Sequence, residues 1–187
     1  MTATTQATND TQATNEKMSE QVRPHSGRAK AIHWGFIAVF IYGLAKQVDE
    51  VEELEDTMLL LEEIAFAIVF LVLLFGRFVY MRSTRPTAMP SDTPRNMMLL
   101  ARAVHLGMYI CLALIALSGL TIGGLYGSGI KEGAVLEAVL LFHEIVFWTS
   151  MNLIAIHIAG AIYHRYLGDG IWDSMVPVWK KGSGDSG

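Results

Sequence analysis

Four long apolar segments without proline limit most strongly what this chain can fold into. They cover roughly residues 29–47, 58–81, 99–126 and 134–167, and all five prolines lie outside them. A helix needs about 20 apolar residues to cross roughly 30 Å of hydrocarbon. The last three segments reach that length and the first is marginal. Since only helices and closed barrels satisfy their backbone in lipid, the pattern predicts an all-α, integral-membrane four-helix bundle.

The composition agrees with a membrane protein and excludes several other classes. Of 187 residues, 52% are hydrophobic and only 17% are charged, whereas soluble domains average about 25% charged residues. The net charge of −4 argues against a nucleic-acid partner. Cys111 is the single cysteine, which excludes an internal disulfide framework and a metal site built on several cysteines.

Both ends of the chain differ in composition from the apolar middle. Residues 1–27 are rich in Thr, Gln, Asn and Ala. Such a segment buries too little apolar surface to offset the entropy of ordering, so we expect a flexible, disordered tail. It lacks the basic and apolar regions of a signal peptide. We therefore expect a polar tail at 1–27, a transmembrane domain at 28–177 and a short polar C-terminal tail at 178–187.

The distribution of charge predicts the orientation in the membrane. Four crossings place both termini and the second loop on one side, and these three regions carry the basic residues: Arg23, Arg28, Lys30, Arg82, Arg85, Arg95, Arg102, Arg165, Lys180 and Lys181. The first loop, VDEVEELED, is strongly acidic, and the third, GSGIKEGA, is roughly neutral. The positive-inside rule then places both termini in the cytoplasm.

Five of the six histidines lie in or at the ends of the apolar segments: His33, His105, His143, His157 and His164. Ionisable residues inside a membrane are costly and usually functional. On one helix, His143 and His157 fall within about 40° of the same face and roughly 21 Å apart, and His164 continues that face. Imidazoles near both leaflets suit axial ligation of b-type haem in a bundle core.

Two other interpretations of the histidines remain open. Zinc usually takes four ligands at short spacings, and the chain has no HxxxH or HExxH pattern. A proton relay would need acids and histidines alternating along one path. Its candidate acids, Glu62, Glu63 and Glu144, all lie near the predicted periplasmic end. Both interpretations therefore explain the pattern less well than haem.

Three stretches resemble the bacterial cytochrome b561 family of four-helix dihaem membrane cytochromes. They are AIHW in the first segment, HLGMYICLALIALSGL in the third, and FHE followed by IAIHIAGAIYHRYLGDGIWDSMVP in the fourth. The spacing H-x13-H-x6-H followed by a DG turn is specific, whereas IHW alone is weak. The resemblance covers roughly residues 28–177 and extends to the cytochrome b subunits of hydrogenases and formate dehydrogenases.

The resemblance implies particular haem ligands. One haem b would lie between the first and fourth helices on His33 and His157, and a second would use His143 with a ligand from the second helix. That helix has no histidine. Counting back from Arg77, which matches the helix-two arginine of the family, the position of the missing ligand falls at Glu63. The second haem is then absent, five-coordinate on His143, or bound by a carboxylate such as Glu63.

Other residues around the expected sites have two alternative roles each. The resemblance places His105 and His164 beside a quinone site, while a hydrogen bond to a haem propionate explains them equally simply. Five arginines could neutralise propionates or could be ordinary charges at membrane-helix ends: Arg28, Arg77, Arg82, Arg102 and Arg165. Gly119 and Gly123 form a GxxxG pattern that fits a helix contact.

Three functions follow as hypotheses. The first is a membrane haem protein, an oxidoreductase or electron carrier, that exchanges electrons between quinone, such as ubiquinone, and a soluble cytochrome or another redox partner. A version acting alone as a superoxide:ubiquinone oxidoreductase would need a cationic periplasmic approach, but the first loop is acidic. The second is a membrane-anchor subunit, with or without haem, of a larger respiratory or photosynthetic complex. A haem-free scaffold or transporter fragment is the third.

Overall fold

The computed structural model describes residues 27–46, 51–84, 94–167, 171–172 and 176, and its regular structure there is entirely helical. Four α-helices follow one another along the chain: α1 (Gly27–Ala45), α2 (Thr57–Thr84), α3 (Arg95–Gly127) and α4 (Ala134–Leu167). A short 3₁₀ helix, Val51–Glu55, precedes α2. The predicted all-α architecture is thereby confirmed for the described residues, and each helix coincides with one predicted apolar segment.

Three of the helices within the described ranges, α2, α3 and α4, are long and apolar enough to cross a membrane. The first helix has 19 residues, and Arg28 and Lys30 occupy its first turn. This helix does not meet the same criteria of length and apolar composition, so its crossing of the membrane remains a prediction. The outward surface fits lipid contact, since large apolar side chains such as Val72 and Phe75 are 66% and 68% exposed.

The ends of the helices have local causes. The carboxylate of Asp56 accepts a hydrogen bond from the backbone N–H of Met58 at 2.8 Å, which caps the first turn of α2. After α3, Gly129 and Gly133 have φ angles of 87° and 104°. Glycine adopts this left-handed region without steric cost, so the chain can reverse between α3 and α4 in a few residues.

Helices adjacent in the chain pack together, as α1–α2, α2–α3 and α3–α4. One apolar cluster joins the first three helices through Phe36, Phe70, Leu74, Leu112 and Ala116. A second cluster ties the 3₁₀ helix to α3 and α4 through Leu54, Ile122, Tyr126 and Leu136. In the described part of the chain, α1 and α4 do not pack along their length.

Some predictions concern residues that the structure does not describe. The predicted disordered tail falls, except for Gly27, outside the described residues, and the C-terminal tail at 178–187 lies outside them completely. Most of the second loop and part of the acidic first loop are also outside. The predicted boundaries of the transmembrane domain, 28–177, are therefore still predictions.

Candidate functional site

Arg77 of α2 and His33 of α1 form a direct side-chain contact. Nη2 of Arg77 donates a hydrogen bond to Nδ1 of His33 at 2.7 Å. Arginine has no acceptor atom, so Nδ1 of His33 is the acceptor, and the neutral ring carries its proton on Nε2. This half-buried contact fixes the orientation of the imidazole near the start of α1.

The rest of the Arg77 guanidinium is surrounded mainly by aromatic rings. Its Cζ atom lies 5.2 Å from the centre of the Phe36 ring and 5.5 Å from that of Tyr109. These distances permit cation–π attraction. Nε of Arg77 is buried and has no hydrogen-bond partner among the described residues. A buried charged donor without a partner indicates that an acceptor group, such as a carboxylate, belongs at this place.

His157 of α4 packs against His105 of α3. Their ring centres are 4.8 Å apart, and the ring planes meet edge to face at 77°. Nδ1 of His105 lies 2.6 Å from the backbone oxygen of Ala101. Because a carbonyl oxygen only accepts, Nδ1 of His105 donates, and Nε2 of the neutral ring keeps its lone pair. His157 is half-buried, while His105 is exposed at the outer surface.

These contacts assemble one group, the histidine–arginine cluster, made of His33, Arg77, His105 and His157. His157 contacts His105, and Arg77 contacts Tyr109. Because His105 and Tyr109 are one turn apart on α3, His157 and Arg77 lie at nearly the same height in the bundle. Arg77 is also close enough to His157 to interact with it electrostatically. All four helices therefore contribute one charged or polar side chain to one level.

His143 has a separate environment at the other end of α4. Its Nδ1 lies 2.8 Å from Oγ of Ser118 on α3. The Ser118 hydroxyl also lies within hydrogen-bond distance of the backbone oxygens of Leu114 and Ile115. Its single proton serves those carbonyls, so Oγ accepts from Nδ1–H of His143 and Nε2 keeps its lone pair. Ser118 thus holds His143 in the tautomer that a metal ligand requires.

The His143 ring packs against α3 at Gly119. A Cβ atom added at Gly119 would lie 3.7 Å from Cε1 of His143, an ordinary contact distance. The ring therefore lies directly over the backbone of α3 at this point. Together with Gly123, which receives Ile64 of α2, the predicted GxxxG pattern is a helix contact in this structure.

Glu63 lies at the same height as His143 by helix geometry. Helices α2 and α4 run in the same direction, because each is antiparallel to α3. Arg77 and His157 are nearly level, and Glu63 and His143 each precede them by 14 residues, a rise of about 21 Å. Glu63 is half-buried. Counted along the two helices, Glu63 and His143 are therefore expected at similar heights, and their use as haem ligands is still a prediction.

Two more residues belong to the inward face of α4. Ser150 is 0% exposed and lies midway between His143 and His157, and its Oγ has no hydrogen-bond partner within the described ranges. A small side chain there lets α4 approach α3 closely. His164 is half-buried two turns beyond His157, with the ring of Tyr163 5.8 Å from its own.

Comparison with known proteins assigns the chain. A family model for prokaryotic cytochrome b561 matches residues 25–178, most of the chain. The chain belongs to the prokaryotic cytochrome b561 family. No curated protein and no solved structure matched the chain in the same comparisons. The suspected family is confirmed, and with it the general function of a cytochrome b561: a membrane electron-transfer protein that binds haem b.

The residues present fit a haem b group, with one adjustment. His143 offers a free Nε2, and the unpartnered Nε of Arg77 suits a propionate carboxylate. As long as Arg77 donates to Nδ1 of His33, the proton of that ring is on Nε2, which is the nitrogen that would bind iron. Ligation through Nε2 of His33 would therefore require Arg77 to donate to another acceptor in place of Nδ1.

Sequence reasoning missed three features of this cytochrome b561. It did not identify Ser118 as the partner of His143, Arg77 as the partner of His33, or the direct contact between His105 and His157. The only available signal was position: Ser118 precedes the glycine of the GxxxG pattern, and Arg77 is an arginine inside an apolar helix. Neither signal names the partner, because the rotation of each helix about its axis is set by packing.

Proposed function

We propose that this cytochrome b561 carries electrons between the membrane quinone pool and another redox partner, with haem b held between α1 and α4 by His33 and His157. The histidine–arginine cluster carries this proposal, because four helices bring their polar side chains to one level of an apolar bundle. Neutral imidazole is a common axial ligand of haem iron. A bound haem b supplies a one-electron iron couple there.

Arg77 has two roles in this proposal. It donates a hydrogen bond to Nδ1 of His33 at 2.7 Å, which holds that half-buried ring in place. When His33 serves as a ligand, its proton moves to Nδ1 and Arg77 turns to another acceptor. A propionate carboxylate provides that acceptor, since a guanidinium presents five N–H donors suited to carboxylate oxygens.

His105 supports a quinone site at the edge of the same cluster. It is exposed, and with Nδ1 donating to Ala101 its Nε2 accepts a hydrogen bond. That nitrogen suits the hydroxyl group of a quinol. A quinol held there would lie beside His157, whose ring touches that of His105. His164 is the second candidate for this site, and for both residues a hydrogen bond to a propionate remains the alternative.

The proposal allows a second haem on His143 but does not require one. The Ser118 hydrogen bond supports His143 as a ligand, because a fixed ring with a free Nε2 needs no rearrangement. The opposite ligand is missing from α2 as a histidine, and Glu63 stands at the corresponding level. Three versions therefore remain: no second haem, a five-coordinate haem on His143, and a haem with Glu63 as its second ligand.

We place the cytochrome in the bacterial inner membrane with both termini in the cytoplasm and the histidine–arginine cluster toward the cytoplasmic side. The charges of the described residues support this orientation. Arg28, Lys30, Arg82, Arg95 and Arg165 lie at the end of the bundle that carries the cluster. The opposite end carries the acidic residues Glu53, Glu55 and Asp56.

Superoxide oxidation at the periplasmic end is less well supported. The two described lysines there are paired, Lys46 with Glu62 at 2.8 Å and Lys131 with Glu55 at 3.1 Å. The Glu62 carboxylate raises the pKa of Lys46 through its hydrogen bond, so that pair persists well above neutral pH. An acidic surface with paired lysines does not attract an anion. It suits docking of a basic soluble cytochrome instead.

A membrane-anchor subunit of a larger respiratory or photosynthetic complex is the second candidate function. The observation that favours it is the lack of a histidine in α2, because a chain with only one complete haem site cannot pass electrons across the bilayer by two stacked haems. In that case His33 and His157 still hold one haem. Quinone reduction by the purified cytochrome alone separates the two functions: an anchor subunit shows none without its partners.

The test of the haem proposal is a haem count with reduced-minus-oxidised spectra of the detergent-purified chain. One haem per chain is expected at least, and colourless protein contradicts the proposal. His33→Ala and His157→Ala should each abolish the haem held between α1 and α4, because each removes one axial ligand. The unchanged helicity of these variants in circular dichroism controls for misfolding.

His143→Ala and Glu63→Ala then decide the second haem. With one haem per chain, His143→Ala leaves the spectrum intact. With two haems, His143→Ala removes one of them, and a change in the spectrum of that haem alone in Glu63→Ala identifies the carboxylate as its ligand. Loss of the only haem in His143→Ala, with retention in His157→Ala, would contradict the assignment of His33 and His157.

A further inference from the structure

Helix α4 presents a regular stripe of exposed residues on the side opposite its buried residues Val146 and Ser150. The members recur at alternating intervals of four and three residues along the helix. We call them the α4 outer stripe: Leu141, Ile145, Trp148, Asn152, Ala155, Ala159, Ile162 and Tyr166. All eight are exposed, Trp148 at 59% and Tyr166 at 82%. This spacing is that of the contact seam between parallel helices that coil around each other.

Asn152 makes the α4 outer stripe unsuitable as a plain lipid surface. It is exposed near the middle of α4, the level expected at the centre of the bilayer. Its Nδ2 donates one hydrogen bond, at 2.8 Å, to the backbone oxygen of Trp148. The second amide N–H and Oδ1 have no partner among the described residues. Lipid cannot supply one, and each unsatisfied polar group in hydrocarbon costs several kcal/mol.

The shallow groove along this part of α4 is mainly apolar but contains three polar side chains. Leu141, Ile145, Trp148 and Asn152 line it together with Glu144 and Thr149. The outward face of α2 is a contrast within the same chain, because its exposed side chains in the corresponding stretch are apolar: Ile68, Val69, Val72, Leu73 and Phe75. The chain thus has an ordinary lipid face on α2, and α4 differs from it.

We propose that the α4 outer stripe is the interface of a homodimer, in which α4 of one copy packs in parallel against α4 of a second copy. All copies in a membrane share one orientation, so a two-fold axis normal to the bilayer brings Asn152 opposite Asn152 of the other copy at equal depth. An amide is both donor and acceptor, so two of them satisfy each other. Such amide pairs stabilise helix association in membranes.

A second copy fits the stripe better than an unrelated subunit for a further reason. Asn152 occupies the position of the seam where asparagine specifies paired, in-register helices in coiled coils. Toward the end of α4, Ala155 and Ala159 are small enough to let two identical backbones approach closely. The proposal uses no residue of the histidine–arginine cluster, so it stands or falls independently of the haem assignments.

The first test measures the mass of the purified chain in detergent by light scattering, with the detergent contribution subtracted. A dimer gives about twice the chain mass of 20.6 kDa. Asn152→Leu should weaken the dimer about threefold to thirtyfold in dissociation constant, the range implied by interhelical hydrogen bonds in membranes. Thr121→Val is the matched control: it removes an exposed polar group on α3 whose hydroxyl already bonds within its own helix.

The second test locates the interface by disulfide cross-linking in native membranes, in a Cys111→Ser background that removes the single cysteine. Ile145→Cys should form a dimer band on oxidation, because the stripe places the two residues together. Val72→Cys is the control, since it is similarly exposed but lies on the lipid face of α2. Haem content of each variant, unchanged from the parent, shows that the fold is retained.

The outcomes separate the possible occupants of the stripe. A dimer that cross-links through Ile145→Cys and weakens in Asn152→Leu supports the proposal. A monomer at all concentrations overturns it, as does a dimer that cross-links through Val72→Cys instead. Cross-linking of Ile145→Cys only to a different membrane protein, with the purified chain monomeric, assigns the stripe to a partner subunit and equally overturns it.

Discussion

At the scale of single residues, Arg77 determines most of the character of the proposed haem site. It holds His33, rests on Phe36 and Tyr109, and keeps one buried donor, Nε, without a described partner. A buried charge is costly unless hydrogen bonds or an opposite charge offset its lost hydration. A carboxylate brought by the cofactor would provide both. The buried Nε of Arg77 is therefore consistent with a bound carboxylate at this place.

Substituting Arg77 tests this role. Arg77→Gln should lower the midpoint potential of the haem held by His157, because the positive charge favours the iron state with one more electron. A charge interaction of about 1–2 kcal/mol corresponds to about 40–90 mV for a one-electron couple. Potentiometric titration of the α-band measures the change.

The control for this substitution is Arg82→Gln. Arg82 is exposed at the end of α2, where solvent and salt screen its charge, so the potential should change by a few millivolts only. Equal potentials in Arg77→Gln and the parent would show that Arg77 does not face the haem.

At the scale of helices, close packing depends on glycines at particular contacts. A Cβ atom at Gly123 would lie 2.8 Å from Cγ1 of Ile64, closer than side chains normally approach. A Cβ atom at Gly43 would lie 2.5 Å from the Phe66 ring. These two glycines therefore set the distances of α2 from α3 and from α1. Since α2 carries Arg77 and Glu63, both proposed sites depend on these distances.

Two adjacent glycines of α3 give a matched pair of variants. Gly123→Ala should destabilise the cytochrome by about 1–2 kcal/mol, because overpacking against Ile64 outweighs the gain in helix propensity. Gly124→Ala, with nothing within 4 Å of the added methyl group, should be neutral or stabilising by up to about 1 kcal/mol. Thermal unfolding followed by tryptophan fluorescence compares them, and equal melting temperatures would contradict the close contact.

For the bundle as a whole, two polar levels are separated by a stretch without charged residues on the inward face of α4. His143 with Ser118 forms one level, and the histidine–arginine cluster forms the other, about 21 Å away along α4. Between them the inward face of α4 carries Val146 and the uncharged Ser150. This layout suits electron transfer between the two leaflets if both levels hold haem, and quinone chemistry at one leaflet if only one does.

The orientation of these levels is testable with single cysteines in the Cys111→Ser background. A membrane-impermeant maleimide added to spheroplasts should label Ser128→Cys, in the turn after α3, which we place in the periplasm. It should label Asn96→Cys, exposed at the start of α3, only after the membrane is permeabilised. The reverse labelling pattern would invert the topology, and labelling of both sites in intact spheroplasts would contradict the number of crossings between them.

The helices, their apolar surface and the family can be predicted from the sequence, because they depend on local composition and on spacing along one chain. Runs of apolar residues without proline specify where a membrane helix forms wherever its neighbours lie. The 14-residue and 7-residue spacings of His143, His157 and His164 likewise follow from the pitch of one helix. The GxxxG pattern also depends on spacing along one helix, and the helix contact that it predicts is confirmed.

Which side chains meet depends on how the helices pack together. The rotation of each helix is fixed by how ridges, glycines and aromatic rings of neighbouring helices interlock, and no single segment contains that information. This packing brings His157 against His105 and places His143 within hydrogen-bond distance of Ser118. It also brings Arg77 to His33 and leaves Asn152 on the outer surface. Partners from different helices are separated by many residues in the chain, so their pairing appears only when the bundle is assembled.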